Sequence, residues 1–373
     1  MLKRQGISLG RILGIPIGLD YSWFLVFVLI TWMLAASYYP GEFNNWPVAE
    51  YWIVGVATAM MLFVSVLLHE LGHSVIAMRY KIPVRRITLF IFGGVAQIGT
   101  EPPSARAEFW IAIAGPAVSL ALAVFFGLLQ VVFTGIAPLL ALAKYLAYIN
   151  GMLVLFNLIP GFPLDGGRVF RAIVWGITHS LSRATLIAAN VGRGIAFVFI
   201  LLGVWQMLTG NFGNGLWIAF IGWFLENAAS AQVHQQVARD LMADYQVAEA
   251  MSRGYTSISP DTTLQHLVDE HILGAGRRCL IVMRDDETVG LLTLHNVKEV
   301  PRTEWPTTTA VQTMIPIKDV KRVRPDTELW EAMAEMDRDG VNQLPVMEGG
   351  HCMGMFSRGD LVDFMRTRRE LGI

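Results

Sequence analysis

Residues 60–78 read MMLFVSVLLHELGHSVIAM, an apolar run broken only by two serines and by His69-Glu70-Leu71-Gly72-His73. If the run is helical, His69 and His73 stand one turn apart on one face, so two imidazole nitrogens converge on a single point while Glu70 lies to the flank. The order H-E-x-x-H suits zinc, which accepts two neutral imidazoles and a carboxylate and keeps a fourth position for water. Water held there becomes acidic near neutral pH, and Glu70 is placed to take its proton and return it to a leaving amine. Ionisable groups cost roughly 2.5–3.5 kcal/mol at the centre of a membrane helix, so such a cluster signals a purpose. The plainer reading is a polar knot that only ties neighbouring helices together.

Beyond this run, the composition fixes the solvent. Of 373 residues 54% are hydrophobic and 16% charged, and eleven are Trp, values outside the soluble range. The long apolar runs stop at about Arg239, and the remainder of the chain is charged and mixed, so two different solvents are implied. A net charge of -1 gives no footprint for nucleic acid. Cys279 and Cys352 both fall in the polar part, without metal-ligand spacing, and read as thiols in a reducing compartment.

The spacing predicts about six transmembrane helices, over 21–38, 52–78, 109–133, 138–159, 194–208 and 216–229. Before the first, residues 1–20 suit a surface turn or strand pair. The basic clusters Lys3, Arg4, Arg11 and Arg79, Lys81, Arg85, Arg86 mark one side, and the loop 40–50 carries acid only. The positive-inside rule then puts both termini in the cytoplasm. Residues 87–98, with Gly93-Gly94, are too short to span and too apolar for a solvated loop, which predicts a re-entrant or interfacial β-hairpin. Its edge is open to strand addition, with Pro83 and the glycines leaving room. Gly115-Pro116-Ala117-Val118-Ser119 supplies small residues for a close helix contact.

The fourth span ends in Asn157-Leu-Ile-Pro-Gly-Phe-Pro-Leu-Asp165-Gly-Gly-Arg168, which cannot continue a helix. Unwound backbone at membrane depth lines a cavity. Asp165 either turns back toward a metal or caps the helix that starts near Arg168. Glu226, near the inner end of the last span, is a further acid whose stem suits snorkelling better than ligation.

Residues 240–373 carry one text twice. Val282-Met283 recurs as Val346-Met347, and Gly290-Leu-Leu-Thr293-Leu-His-Asn296-Val297 as Gly354-Met-Phe-Ser357-Arg-Gly-Asp360-Leu361, both 64 residues on; Pro260 to Leu264 recurs 65 on as Pro325 to Leu329. Two copies of a strand-helix-strand-strand-helix unit are implied. This part resembles the CBS-domain family, whose paired copies bind adenine nucleotides. The resemblance puts Thr293 and Asn296, and Ser357 and Asp360, on ribose and phosphate, with Asn for Asp a departure in the first copy. A dimerising module without ligand is the alternative.

With the intramembrane His69-Glu70-x-x-His73, the Gly-Gly hairpin and the Asn157-x-x-Pro-x-x-Pro-Leu-Asp165-Gly run, the whole chain resembles the site-2 protease family of intramembrane zinc metalloproteases, in the branch with CBS domains. The resemblance implies a multi-pass α-helical membrane domain at 1–238, followed by a cytoplasmic α/β tandem CBS domain with copies at 239–303 and 304–373. It implies one Zn2+ held by His69, His73 and Asp165, Glu70 as the base, and Asn157, with Gly93 and Gly94, as site or substrate support. Transmembrane protein substrates, the lipid bilayer, ATP, ADP or AMP at the CBS pair, and a homodimer through that pair are the expected partners. Rival readings are a CBS-regulated channel or transporter, and a proteolytically inactive relative that binds clients. Transporters more often repeat their broken helices, and residues 1–239 show no such repeat.

Overall fold

The computed structural model describes Gly6 to Leu371 except Phe92 and Asp286. Lys3 and Arg4 of the expected basic cluster, and Phe92 of the expected hairpin, lie outside the described residues. The chain divides into two compact units, Lys3–Val237 and Ala238–Ile373.

In the first unit, β1 (Ile7–Ile12) and β2 (Ile15–Leu19) precede α1 (Ser22–Glu42). Asp20 accepts from the Ser22 main-chain N–H at 2.9 Å, which starts α1, and a π-turn at Leu34–Tyr38 interrupts it. The long helix α2 (Val48–Arg79) begins after Pro47 with Glu50 in its first turn. It stops where Lys81 takes a left-handed φ of 61° ahead of Ile82-Pro83. Its inner stripe, Thr58, Leu62, Ser65, His69 and His73, is buried, while Ile53, Met60, Val64 and Leu68 face outward, as a helix set between protein and lipid requires.

The expected hairpin is the strand pair β3 (Val84–Phe90) and β4 (Gly93–Ile98), and it does not stand alone. The four strands form one sheet in the order β1-β2-β3-β4, with β2 and β3 parallel through Ile17 opposite Ile87 and Leu19 opposite Leu89. An isolated hairpin is marginal, so the N-terminal pair completes it. Ile15, Ile17 and Ile87 pack on Leu71 of α2, and Leu19 and Leu89 on Phe63 and Trp23, which seats the sheet beside the H-E-x-x-H turn.

Helices α3 (Ala105–Val132) and α4 (Ala137–Asn157) come next, then α5 (Asp165–Thr178), α6 (Leu181–Leu208) and α7 (Phe212–Met242). Among the described residues, five helices are long and apolar enough to cross a membrane: α1 to α4 and α6. The expected sixth crossing is built as α7, 31 residues long, and Glu226, Asn227 and Gln232 dilute its apolar stretch below that standard. The fifth, expected over 194–208, is longer, because α6 is continuous helix from Leu181 and already carries Arg183 and Arg193.

Between α4 and α5 the chain folds tightly on itself. A Cβ on Gly167 would lie 2.3 Å from the Gly161 carbonyl carbon, and one on Gly161 only 2.5 Å from Gly192 Cα on α6. The loop is thereby locked against α6 main chain to main chain.

The second unit shows the repeat in its register. Strands β6 (Cys279–Arg284) and β7 (Glu287–Thr293) pair with Val282 opposite Gly290, and β9 (Gln343–Glu348) and β10 (His351–Ser357) pair with Val346 opposite Gly354. The short strands β5 (Ser257–Ile258) and β8 (Ile315–Pro316) flank the first pair. The strand expected at the start of the second copy is reduced to a parallel bridge of Val323 with Val346. Each copy has its own core, one around Leu264 and Val282, the other around Leu329 and Val346. Ile281 and Leu291 of the first copy pack with Met347 and Cys352 of the second. Both thiols are unbridged, and burial pushes Cys279 up to about 12 and raises Cys352 as well, so neither is a reactive thiolate.

Candidate metal centre

Helix α2 presents His69 and His73 on its buried face, 6% and 4% exposed. His73 Nδ1 donates to the Ile111 carbonyl of α3 at 2.7 Å. A carbonyl only accepts, so Nδ1 carries the proton and Nε2 of the neutral ring keeps its lone pair. His69 Nδ1 lies 2.9 Å from Ser119 Oγ, also on α3, which orients that ring in the same sense.

The two Nε2 atoms are 3.2 Å apart, and Asp165 Oδ2 lies 3.1 Å from the first and 3.2 Å from the second. Asp165 is the first residue of α5, and its carboxylate is aimed at the imidazoles and makes no cap to its own helix. Donors around a tetrahedral ion with bonds of ~2.0 Å stand about 3.3 Å from one another. The spacing and chemistry of these three atoms fit a zinc ion, and they form a cluster of potential metal ligands among the described residues.

Room for the cluster comes from α3. A Cβ on Gly115 would lie 2.1 Å from His73 Nε2 and 2.6 Å from His69 Nε2. Gly72 makes the reciprocal approach, where a Cβ would meet Val118 at 2.9 Å. The glycine of Gly115-Pro116 therefore serves a close helix contact and clears the imidazoles at once. Sequence reasoning saw the first role and missed the second. The available signal was the Gly-Pro break in an otherwise apolar span, followed one turn later by Ser119.

A cavity of about 420 Å³ opens beside the cluster, lined by His69, Glu70 and Asp165. Gly93, Gly94 and Asn157, singled out from the sequence, line it too, with Trp217, Phe220 and Leu225 of α7 opposite. Gly94 brings the edge strand against the acid, since a Cβ there would be 2.5 Å from Glu70 Cγ. Glu226 stands apart from the cluster: it accepts from Ser230 Oγ at 2.7 Å and lies 3.5 Å from Arg193 Nε.

In the second unit, Thr293 accepts from the Asn296 N–H and donates its own N–H to Asn296 Oδ1 at 3.1 Å, a capping box for Leu294–Glu299. Ser357 and Asp360 repeat it, the Ser357 N–H donating to Asp360 Oδ2 at 2.8 Å. Asn in place of Asp keeps the cap and removes the charge.

Comparison with known proteins decides the family. The pattern of peptidase family M50 matches residues 57–144 and 135–201, and that of the CBS domain residues 247–302 and 311–367. Rip3 of Mycobacterium tuberculosis is 36% identical over 371 residues, covering 98% of this chain and 94% of Rip3. The chain belongs to peptidase family M50. The zinc metalloprotease MJ0392 of Methanocaldococcus jannaschii is 29% identical over 363 residues, 96% of each chain. A solved site-2 protease from the same archaeon shares 32% identity, covers 61% of this chain and 95% of its own, and superposes with a TM-score of 0.41. As an M50 member with apolar helices around the site, this is an intramembrane metalloprotease with CBS domains, and the channel and transporter readings fall away.

The tight fit at Gly115 generates a prediction. Gly115→Ala leaves the helical content of the purified protein intact and lowers cleavage of a tagged membrane-spanning peptide at least ~10-fold, because a methyl group displaces both imidazoles by about an ångström. Wild-type turnover in that variant would show that the rings have slack the structure denies them.

Proposed function

We propose that residues 1–238 form a zinc endopeptidase that cuts within or near transmembrane segments of other membrane proteins, under the control of CBS copies at 239–303 and 304–373. In this reading His69, His73 and Asp165 hold the ion. The observation that carries it is three lone-pair donors turned on one another at 3.1–3.2 Å beside a cavity that Glu70 also lines. Without a cation or shared proton among them, such atoms repel.

Zinc bound there supplies the Lewis acidity that activates water and polarises the scissile carbonyl. The chain's own groups do the rest. Glu70 accepts the proton of the attacking water on a carboxylate oxygen and hands it to the leaving amide nitrogen. The edge strand β4 receives the opened substrate as an added strand, and Gly94 leaves no side chain between that strand and Glu70. Asn157, at the end of α4 on the cavity wall, supports the substrate main chain. Peptide bonds in a membrane helix are masked by their own hydrogen bonds, so a partner of this kind must hold the segment once it unwinds.

The protein lies in the cell membrane as a multi-pass chain with both termini cytoplasmic, a reading supported by Arg79, Lys81, Arg85 and Arg86 at the end of α2. An adenine nucleotide, ATP, ADP or AMP, at Ser357 and Asp360, with a weaker half-site at Thr293 and Asn296, modulates cleavage, and the CBS pair supports a homodimer.

Substitution separates the base from the ligands. Glu70→Gln should retain one zinc per chain and lose about 10²–10⁴-fold in kcat, while Asp165→Asn should lose zinc itself; undiminished turnover in the first, or full stoichiometry in the second, removes the role assigned to that residue. For the CBS pair, titrating AMP, ADP and ATP into the full chain should raise its unfolding temperature, and Asp360→Ala should weaken this more than Asn296→Ala. No shift with any nucleotide would leave a purely structural module.

A further inference from the structure

The two imidazoles and the carboxylate ride on different helices, α2 and α5, and α3 packs between them. Toward α2, α3 offers the Ile111 carbonyl, Gly115 and Ser119. Toward α5, one turn before Ile111, it offers Glu108, which is fully buried. Glu108 Oε1 accepts from Arg171 Nε at 2.7 Å and also from Arg171 Nη2. The Arg171 side chain is 10% exposed, and its guanidinium carbon stands 5.2 Å from the ring centre of Phe162, in the loop that delivers Asp165.

This pair is an expensive way to join two helices. A buried ion pair often does no better than apolar residues of like volume, and here Glu108 Oε2 is buried with no hydrogen-bond partner among the described residues. Two further Arg or Lys ion pairs of this unit, Lys144–Glu42 and Arg193–Glu226, have side chains a third or more exposed. What the planar fork supplies is direction. Aliphatic contacts let a helix slide or roll, whereas two N–H groups on one oxygen, with an aromatic ring over the guanidinium, fix α5 in height and rotation.

We propose that Glu108 and Arg171 are positioning residues that set where Asp165 stands against His69 and His73, acting on the reaction only through that carboxylate. The inference rests on the reading of those three residues as zinc ligands. Glu108→Leu combined with Arg171→Met removes both charges without stranding either. In the purified, refilled full chain this double variant should unfold at the wild-type temperature and bind zinc about 10–100-fold more weakly in competition with a chelator. Its kcat should fall with KM unchanged.

Arg171→Lys, which keeps the charge and loses the fork, should fall between the two. Glu42→Gln with Lys144→Met should leave zinc affinity untouched. A folded double variant with wild-type zinc affinity and kcat overturns the proposal. If the double variant does not fold, Arg171→Lys decides, and unchanged zinc affinity there overturns it equally. A wild-type chain that binds no zinc would overturn the metal reading, and the clamp with it.

Discussion

Three electron-rich atoms held 3.1–3.2 Å apart inside a bundle of apolar helices are the constraint on which the membrane unit depends. Left alone they push one another away, and the low dielectric around them strengthens the push. Each nearby feature of the fold opposes that separation. The Ile111 carbonyl and Ser119 hold the far nitrogens of the rings, Gly115 clears space, and the glycine contacts at Gly161, Gly167 and Gly192 pin the loop ahead of Asp165. A cation or a shared proton among the three atoms would relieve that repulsion.

The local part of this was legible in the sequence. His69, Glu70 and His73 are neighbours along one helix, so spacing alone placed them, and the prolines and glycines before Asp165 announced a break. What spacing could not supply was contact across the bundle. Whether Asp165 caps a helix or faces the imidazoles is decided by where α5 lies, and α5 is positioned by α3, far away in sequence. Gly115 read as a packing residue because its second neighbour, His73, is invisible in a one-dimensional text. For the same reason the parallel pairing of β2 with β3 escaped notice, since strands so distant leave no joint periodicity. The start of α6 was missed because Arg183 and Arg193 interrupt the apolar run, so hydropathy begins the span only after them, at 194.

The second unit behaves differently. Its repeat was plain from a constant offset, and the register of β6 with β7 matches that of β9 with β10 residue for residue. The residues expected to meet a nucleotide are occupied as helix caps, Thr293 with Asn296 and Ser357 with Asp360. A cap and a binding group are compatible, since a carboxylate has more acceptor sites than one N–H and one hydroxyl consume. The two copies nevertheless differ by one negative charge at equivalent caps, so any ligand they share meets an electrically lopsided cleft.

The glycine lock between the Asp165 loop and α6 also governs how the cavity can change size. A wall packed main chain to main chain leaves no side-chain layer to yield, and α7 meets α6 in the same way, with a Cβ on Gly203 only 2.4 Å from Ala219 N. On α7 the rings of Trp217 and Phe220, both substantially exposed and stacked on one another with centroids 5.9 Å apart, line the same cavity. A guest in this cavity therefore meets a flat aromatic face on one side, and the volume of those two rings bears on what fits.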